Sequence, residues 1–153
     1  MTKLKLVEST ASVLRQTSQP VLENELEEIE KISCEMAEIM LQSNGIGLAA
    51  PQVGISKSFF IYGTKDNIKT IINPEILTAS GPSVAMVEGC LSLPGEHYEV
   101  TRPDTVMFKY YDLEWQQHVE EASGFFGRVI QHETDHLQGI CIDKIGTKKD
   151  IKI

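Results

Sequence analysis

Residues 131–136 read Gln-His-Glu-Thr-Asp-His, and no other stretch restricts the fold and chemistry of this chain as tightly. On an α-helix, residues four apart lie one turn above each other on one face, so His132 and His136 can aim two imidazoles at a single ion. Glu133 falls about 100° further round the helix, beside such an ion rather than on it. A carboxylate placed there can take a proton from metal-bound water. The pattern therefore asks for a helix, a divalent metal and a hydrolytic reaction. It also asks for a third ligand from elsewhere, because a catalytic tetrahedral site takes three protein ligands and keeps its fourth position open. The plain alternative is a pair of imidazoles satisfied on a helix surface or in a core.

Upstream, the candidate third ligands are Cys90, His97, His118 and several acids; after His136 only Cys141 and aspartates remain. Endopeptidases built on this helix usually take their third ligand from a downstream Glu or His, and the chain after His136 has neither. A closed structural site would need a fourth Cys or His and would have no use for Glu133. Cys90 stands out by its setting, "VEGCLSLPG", between a glycine and an extended Leu-Ser-Leu-Pro segment where backbone can approach a ligand closely. Cys34 and Cys141 sit among apolar neighbours and read as small buried hydrophobes. A thiolate donor would soften the site and widen the choice of ion to iron, zinc, cobalt or nickel.

The 153 residues fit one metallohydrolase domain, 1–153. From Asn24, Leu26, Ile29, Ile32, Met36, Ile39 and Met40 recur at helical spacing, with Asn24 and Glu27 as a capping box and Asn44-Gly45 as the stop. A Gly/Pro-punctuated loop, "GIGLAAPQVGISK", follows this long helix. Then "SFFIYG", "TIINPEIL", "VAMVEG", "HYEVT", "TVMFKYYDL" and "HVEEA" read as short strands. With no long helix between them, they are expected to pair mostly antiparallel. A second helix from near Ser123 to Gly139 carries the histidines. The fold class is α+β: short, mostly antiparallel strands around a metal-binding H-E-x-x-H helix, with one long N-terminal helix. The first 20 residues read as extended or turn-rich, and Lys144, Lys148, Lys149 and Lys152 as a solvated basic tail.

A net charge of −8 argues against a general nucleic-acid binder. No apolar run approaches the roughly 20 residues of a membrane span, and the N-terminus lacks a signal-peptide core. Three cysteines make no disulfide framework, which fits a reducing cytoplasm, that of a bacterium or of a virus-infected host.

Three segments stand in order: "GIGLAAPQ" at 45–52, "EGCLS" at 88–92 and "QHETDHLQG" at 131–139. Together they resemble the three signature motifs of the peptide deformylase family, with every fixed position met. The resemblance implies hydrolysis of the N-formyl group from the formyl-methionine of newly made polypeptides. It implies a metal on Cys90, His132 and His136 with water in the fourth position: Fe(II) natively, with Ni, Co or Zn able to substitute. Glu133 becomes the general acid/base, and the Gln52 amide and Leu91 backbone N–H polarise the formyl oxygen. Gly45 becomes a backbone contact to the peptide; Gly47, by its freedom of backbone, lets an extended substrate pair with the loop. Ile46, Met86, Phe125 and Val129 line the methionine pocket. Glu88 pairs with Arg102 to hold the Cys90 loop, and Asp135 orients a ligand imidazole or fixes the helix.

The expected partners are N-formylmethionyl peptides met by a monomer, with neither membrane nor nucleic acid involved. The chain departs from the family at Phe125-Phe126-Gly127, where relatives show smaller aliphatics and alanine, so two aromatics are expected to narrow the pocket. It also ends soon after Gly139, and any ribosome contact would have to do without the long C-terminal docking helix of many bacterial relatives.

Overall fold

Alternation along Phe59-Phe60-Ile61 explains how the two helices are held apart. In the computed structural model, which describes residues 3–150, these residues open strand β2, Phe59–Thr64. Successive side chains in a strand point to opposite faces. Phe59 and Ile61 therefore join Ile29, Met36 and Met40 of helix α1, Leu26–Gln42, in one core. Phe60 joins Ile130 and Leu137 of helix α2, Gly124–Leu137, in another. A strand buried on both faces reads as an unbroken apolar run, and "FFI" is that run.

The frame is one antiparallel sheet. Its strands are β1, Gly47–Ala49; β2; β3, Asn67–Gly89; β4, His97–Tyr111; and β5, Gln117–Ser123, in that spatial order. A short helix α3, Ile142–Ile145, leads to β6, Thr147–Lys149, which pairs with β4 at His97–Glu99. The fold is thus mixed, with an antiparallel sheet and few helices. No helix among the described residues is long and apolar enough to cross a membrane.

Several elements differ from the sequence reading. "TIINPEIL" and "VAMVEG" are one strand, β3, and "HYEVT" and "TVMFKYYDL" are one strand, β4. The interruptions that suggested separate strands are absorbed as register shifts, at Ile72/Glu75, Ile76/Thr78 and Ser80/Ser83. Pro74 and the Gly81-Pro82 pair fall in two of them, since a residue lacking a ladder donor, or free in φ, fits a bulge better than a regular ladder. Helix α1 starts at Leu26, after a 3₁₀ turn at Glu23–Glu25, and the Glu25 carboxylate accepts the Leu22 N–H at 2.8 Å in place of the expected Asn24 cap. It ends with Asn44 itself in the left-handed region, φ 57°. The loop after α1 contains β1 and a 3₁₀ turn at Ala50–Val53, and the early segment a 3₁₀ turn at Ser12–Arg15. The supposed basic tail is α3 and β6 as far as Lys149, and Lys152 lies outside the described residues. Cys34 is exposed, not buried; Cys141 is buried.

Candidate metal centre

Two elements that meet at the mouth of the sheet supply the cluster. β3 ends at Gly89, and Cys90 follows in a turn closed by the Leu93 N–H on the Cys90 carbonyl at 2.9 Å. Helix α2 presents His132 and His136 on one face, with ring centroids 4.9 Å apart. One ligand atom from each of Cys90, His132 and His136 lies within 4.8 Å of the others. Cys90 Sγ is 3.4 Å from His136 Nε2. One sulfur and two imidazole nitrogens converging at that spacing fit one divalent ion with a position left for water.

Helix α2 buries an unusually polar face: Arg128, Gln131, His132, Glu133, Thr134 and His136 are all enclosed. Such groups are tolerated inside only when bonded. The Gln131 amide donates to the Pro103 and Gly127 carbonyls, and the Thr134 hydroxyl to the Ile130 carbonyl. One atom breaks the rule. Glu133 is 4% exposed, and its Oε1 has no hydrogen-bond partner among the described residues. Burial pushes its pKa up to about 7 when no ion is bound, the direction in which a general acid/base is tuned.

The sharpest constraint comes from backbone beside this carboxylate. A Cβ on Gly47 would stand 2.6 Å from Glu133 Oε2. The 3₁₀ turn with Pro51 in its second position holds Gln52 nearby. Gln52 Oε1 accepts the Ala49 N–H at 2.9 Å, which turns Nε2 toward Ser92 Oγ at 3.0 Å and Cys90 Sγ at 3.5 Å. Leu91 leaves its side chain against Gly45, where a Cβ would meet Leu91 Cδ1 at 2.8 Å.

A cleft of about 930 Å³ opens over the cluster, and Gly45, Ile46, Gly47, Met86, Phe125 and Val129 line it together with Gln52, Leu91 and Glu133. Only one of the two aromatics reaches it. Phe125 stands at the rim, 62% exposed, whereas Phe126 packs on Tyr62, centroids 5.1 Å apart. Gly127 is explained by closeness: a Cβ there would strike the Ala122 carbonyl oxygen at 2.8 Å.

Behind His132 lies a chain of buried charges. Glu88 Oε1 faces His132 Nδ1 at 2.8 Å and accepts Arg102 Nη2 at 3.0 Å, while Oε2 accepts Arg102 Nε at 2.7 Å. Arg102 Nη1 donates to Asp135 Oδ2 at 2.8 Å, so Asp135 holds the arginine and not a ligand imidazole. Sequence reasoning missed Arg128, whose Nη1 donates to Glu88 Oε2 at 2.6 Å and to the Val100 carbonyl at 3.0 Å, and whose Nη2 donates to the Val84 carbonyl at 2.7 Å. The available signal was its place one turn before His132, on the same helix face. Ser92, which takes up the Gln52 amide, was also passed over, although it closes the "EGCLS" segment.

Burial alone would raise the Glu88 pKa, but the hydrogen bonds from His132 and Arg102 outweigh it and hold the carboxyl at about 2. Burial likewise disfavours the His132 cation, yet Cys90 and Glu88 lift its pKa to about 10 when no ion is bound. Enclosure, and then the charge on His132, push His136 well below its usual range. An ion takes the place of such a proton on an imidazole lone pair, so binding and titration compete here.

The polypeptide deformylase family model matches residues 3–150. The peptide deformylase of Cytophaga hutchinsonii is 40% identical over 146 residues, covering 90% of this chain and 79% of its own. That of Thermotoga maritima is 40% identical over 138 residues, covering 90% and 84%. The crystal structure of a Thermotoga maritima peptide deformylase superposes with a TM-score of 0.89 at 36% identity, over 95% of this chain and 98% of that one. An Acinetobacter baumannii class I type b peptide deformylase, crystallised with Met-Ala-Ser, superposes with a TM-score of 0.88 at 34% identity, over 94% and 98%. With its family model spanning nearly the whole sequence and its sheet and helices superposing on solved members, the chain belongs to the polypeptide deformylase family.

Proposed function

We infer that Cys90, His132 and His136 hold the ion with which this chain, a metal-dependent deformylase, removes the N-formyl group from nascent polypeptides. The observation that carries the reading is a buried, unpartnered Glu133 carboxylate beside a Cys-His-His cluster. A divalent ion held there would polarise the formyl carbonyl and lower the pKa of a water ligand to near neutrality.

The chain's own residues account for the rest. Glu133 takes a proton from the attacking water as the new C–O bond forms, and returns it to the amine nitrogen as the C–N bond breaks, leaving formate and a free N-terminus. Gln52 Nε2 and the Leu91 N–H donate to the formyl oxygen as it gains negative charge. The Gln52 amide is already turned for this by the Ala49 N–H, and a preset donor of this kind contributes roughly 3–4 kcal/mol to the transition state. The peptide backbone lies along Gly45 and Gly47, and a side chain at Gly47 would collide with the Glu133 carboxylate. Its methionine side chain enters between Ile46, Met86, Phe125 and Val129. Glu88 and Arg102 keep the Cys90 turn and His132 in register.

The Acinetobacter relative holds Met-Ala-Ser, the deformylated form of such a substrate, and a Synechococcus elongatus relative holds actinonin; both ligands are expected in this cleft. Fe(II) is the expected native ion, with Ni, Co and Zn as substitutes, in a single-domain monomer acting in the cytoplasm.

The test is anaerobic hydrolysis of formyl-Met-Ala-Ser by protein loaded with Fe(II), Ni(II) or Zn(II), with unformylated casein alongside. Formate release that falls about 10²–10⁴-fold in Glu133→Ala, at unchanged metal content, supports the reading. A folded, metal-loaded protein that releases no formate overturns it, and casein cleavage would redirect it to proteolysis.

A further inference from the structure

A metal-bound imidazole nearly always donates its other ring N–H to an acceptor that fixes the tautomer and the ring's orientation. For His132 that acceptor is Glu88 Oε1, 2.8 Å from Nδ1. His136 is enclosed, 1% exposed. Its Nε2 faces Cys90 Sγ at 3.4 Å, on the cluster side, which leaves Nδ1 to carry the proton. The hydrogen-bond partner of that Nδ1 among the described residues is Cys141 Sγ, at 3.6 Å.

We propose that Cys141 is a positioning residue for the metal site: its sulfur accepts the His136 Nδ1–H, fixes that ligand's tautomer, and makes it a weaker electron donor than His132. The proposal rests on the reading of His136 as a metal ligand.

The fold delivers this contact by design of the turn after α2. Gly139 sits in the left-handed region, φ 78°. The Gly139 N–H bonds the His136 carbonyl at 3.1 Å, and the Ile140 N–H bonds the Asp135 carbonyl at 2.9 Å. The chain thereby reverses over the last turn of the ligand helix and brings residue 141 back beside residue 136. A side chain at Gly139 would collide with the Arg15 backbone at 2.6 Å, so the reversal has no slack. Cys141 is 2% exposed and opens α3 as its N-cap residue, which fixes the sulfur from both sides. Thiol sulfur is a weak acceptor where a carboxylate is a strong one. The two imidazoles of the cluster are thus tuned apart: His132 is made basic by Glu88, and His136 is left close to neutral imidazole.

The experiment compares native protein with Cys141→Val and Cys141→Ser, each loaded with Co(II). Metal affinity is read by chelator competition, the ligand field by visible absorption, and folding by circular dichroism. Carboxylate partners of this kind are worth about 10–100-fold in metal affinity; the weaker sulfur should be worth about 3–10-fold. Valine keeps the apolar character, at the cost of one extra methyl, but removes the acceptor, so Cys141→Val should lose that factor and shift the Co(II) bands. Serine fits the apolar surroundings worse but retains an acceptor, so it should hold the ion more tightly than valine. A packing role predicts the reverse order. Native-like affinity and spectrum in Cys141→Val, or valine outperforming serine, overturns the proposal. Failure of the native protein to bind Co(II) at all removes the metal-site reading beneath it, a result distinct from either.

Discussion

On the His132 side of the cluster, one carboxylate accepts hydrogen bonds from an imidazole and two arginines, all of them enclosed. On the His136 side, a thiol at 3.6 Å stands in the same place. Desolvating an ion costs several kcal/mol even after relaxation, and a buried pair recovers this only if every lone pair and proton is used. Glu88 meets that condition, with both oxygens shared between His132, Arg102 and Arg128. Two carboxylates, Glu88 and Asp135, face the two arginines, Arg102 and Arg128. The charged side therefore gains position rather than net stability. It ties β3, β4 and α2 together at the point where the Cys90 turn begins, because Arg128 also takes the Val84 and Val100 carbonyls. The thiol side orders one ring at almost no desolvation cost. The three proposed ligands need fixed positions, and this molecule fixes two of them by means that should fail in very different ways.

Removing Glu88 should break the comparison most completely. Glu88→Ala leaves two arginines buried around a void, which for a broken buried pair amounts to roughly 3–5 kcal/mol of lost stability. The His132 ring also loses its acceptor, worth about 10–100-fold in metal affinity. Urea unfolding and chelator competition read the two losses separately. An effect on both no larger than that of Cys141→Val would make the two sides equivalent.

Acid should reach both sides, and Glu88→Gln isolates the charged one. His136, enclosed and held well below its usual range, also costs stability as pH falls below 6.5. The Glu88 carboxyl is held at about 2 against an ordinary 4.5. A depressed carboxylate contributes stability that is fully present above 4.5 and is lost as pH falls through 2. The ion-free protein should lose on the order of 2–3 kcal/mol across that window, a loss largely absent from Glu88→Gln. Unfolding free energies measured from pH 5 to pH 2 test this, and parallel curves for the two proteins would contradict it. Arg128→Met comes next, at about 2 kcal/mol, for the Val84 and Val100 carbonyls left without their donor. Glu88 would still be clamped by Arg102, so metal affinity should fall less than in Glu88→Ala.

The difference between the two sides was only half legible in the sequence. The proposed ligands announce themselves through local pattern: H-E-x-x-H needs only the period of a helix, and Cys90 a glycine before it and an extended segment after it. Helix α1 was legible for the same reason, its apolar period lying within one element. What failed was whatever depends on residues far apart. Arg128 reads as a solvated charge until Glu88, 40 positions away, is placed against it. Nothing between His136 and Cys141 states that the chain doubles back, except the glycine at 139, which fits any helix end. The long β3 and β4 were cut into pieces because Pro74 and Gly81-Pro82 look like breaks, and only pairing with a continuous neighbour turns them into bulges. β1 and β6, of three residues each, are too short to show alternation. Cys34 was misplaced because it was grouped with the apolar Ile32 and Met36, although Ser33 and Glu35 flank it directly and the residue turned inward there is Ser33.

Asp135 should give the smallest effect, and for that reason sharpens the contrast. It sits at the outer end of the charged chain, its side chain 28% exposed, touching Arg102 and no ligand. Burial raises its pKa against the pull of Arg102. It also lies in the last turn of α2, where the helix dipole opposes a negative charge. Its backbone carbonyl accepts the Gln138 and Ile140 N–H groups that turn the chain toward Cys141, and a side-chain substitution leaves those bonds in place. Asp135→Asn keeps an acceptor for Arg102 and removes a charge that the helix end resists. The expected loss is below about 1 kcal/mol in urea unfolding, with metal affinity unchanged within about 3-fold. A loss rivalling that of Glu88→Ala would mean that Arg102 is oriented from Asp135 inward, so that the network is anchored at its solvent end and His132 is held through three links rather than one.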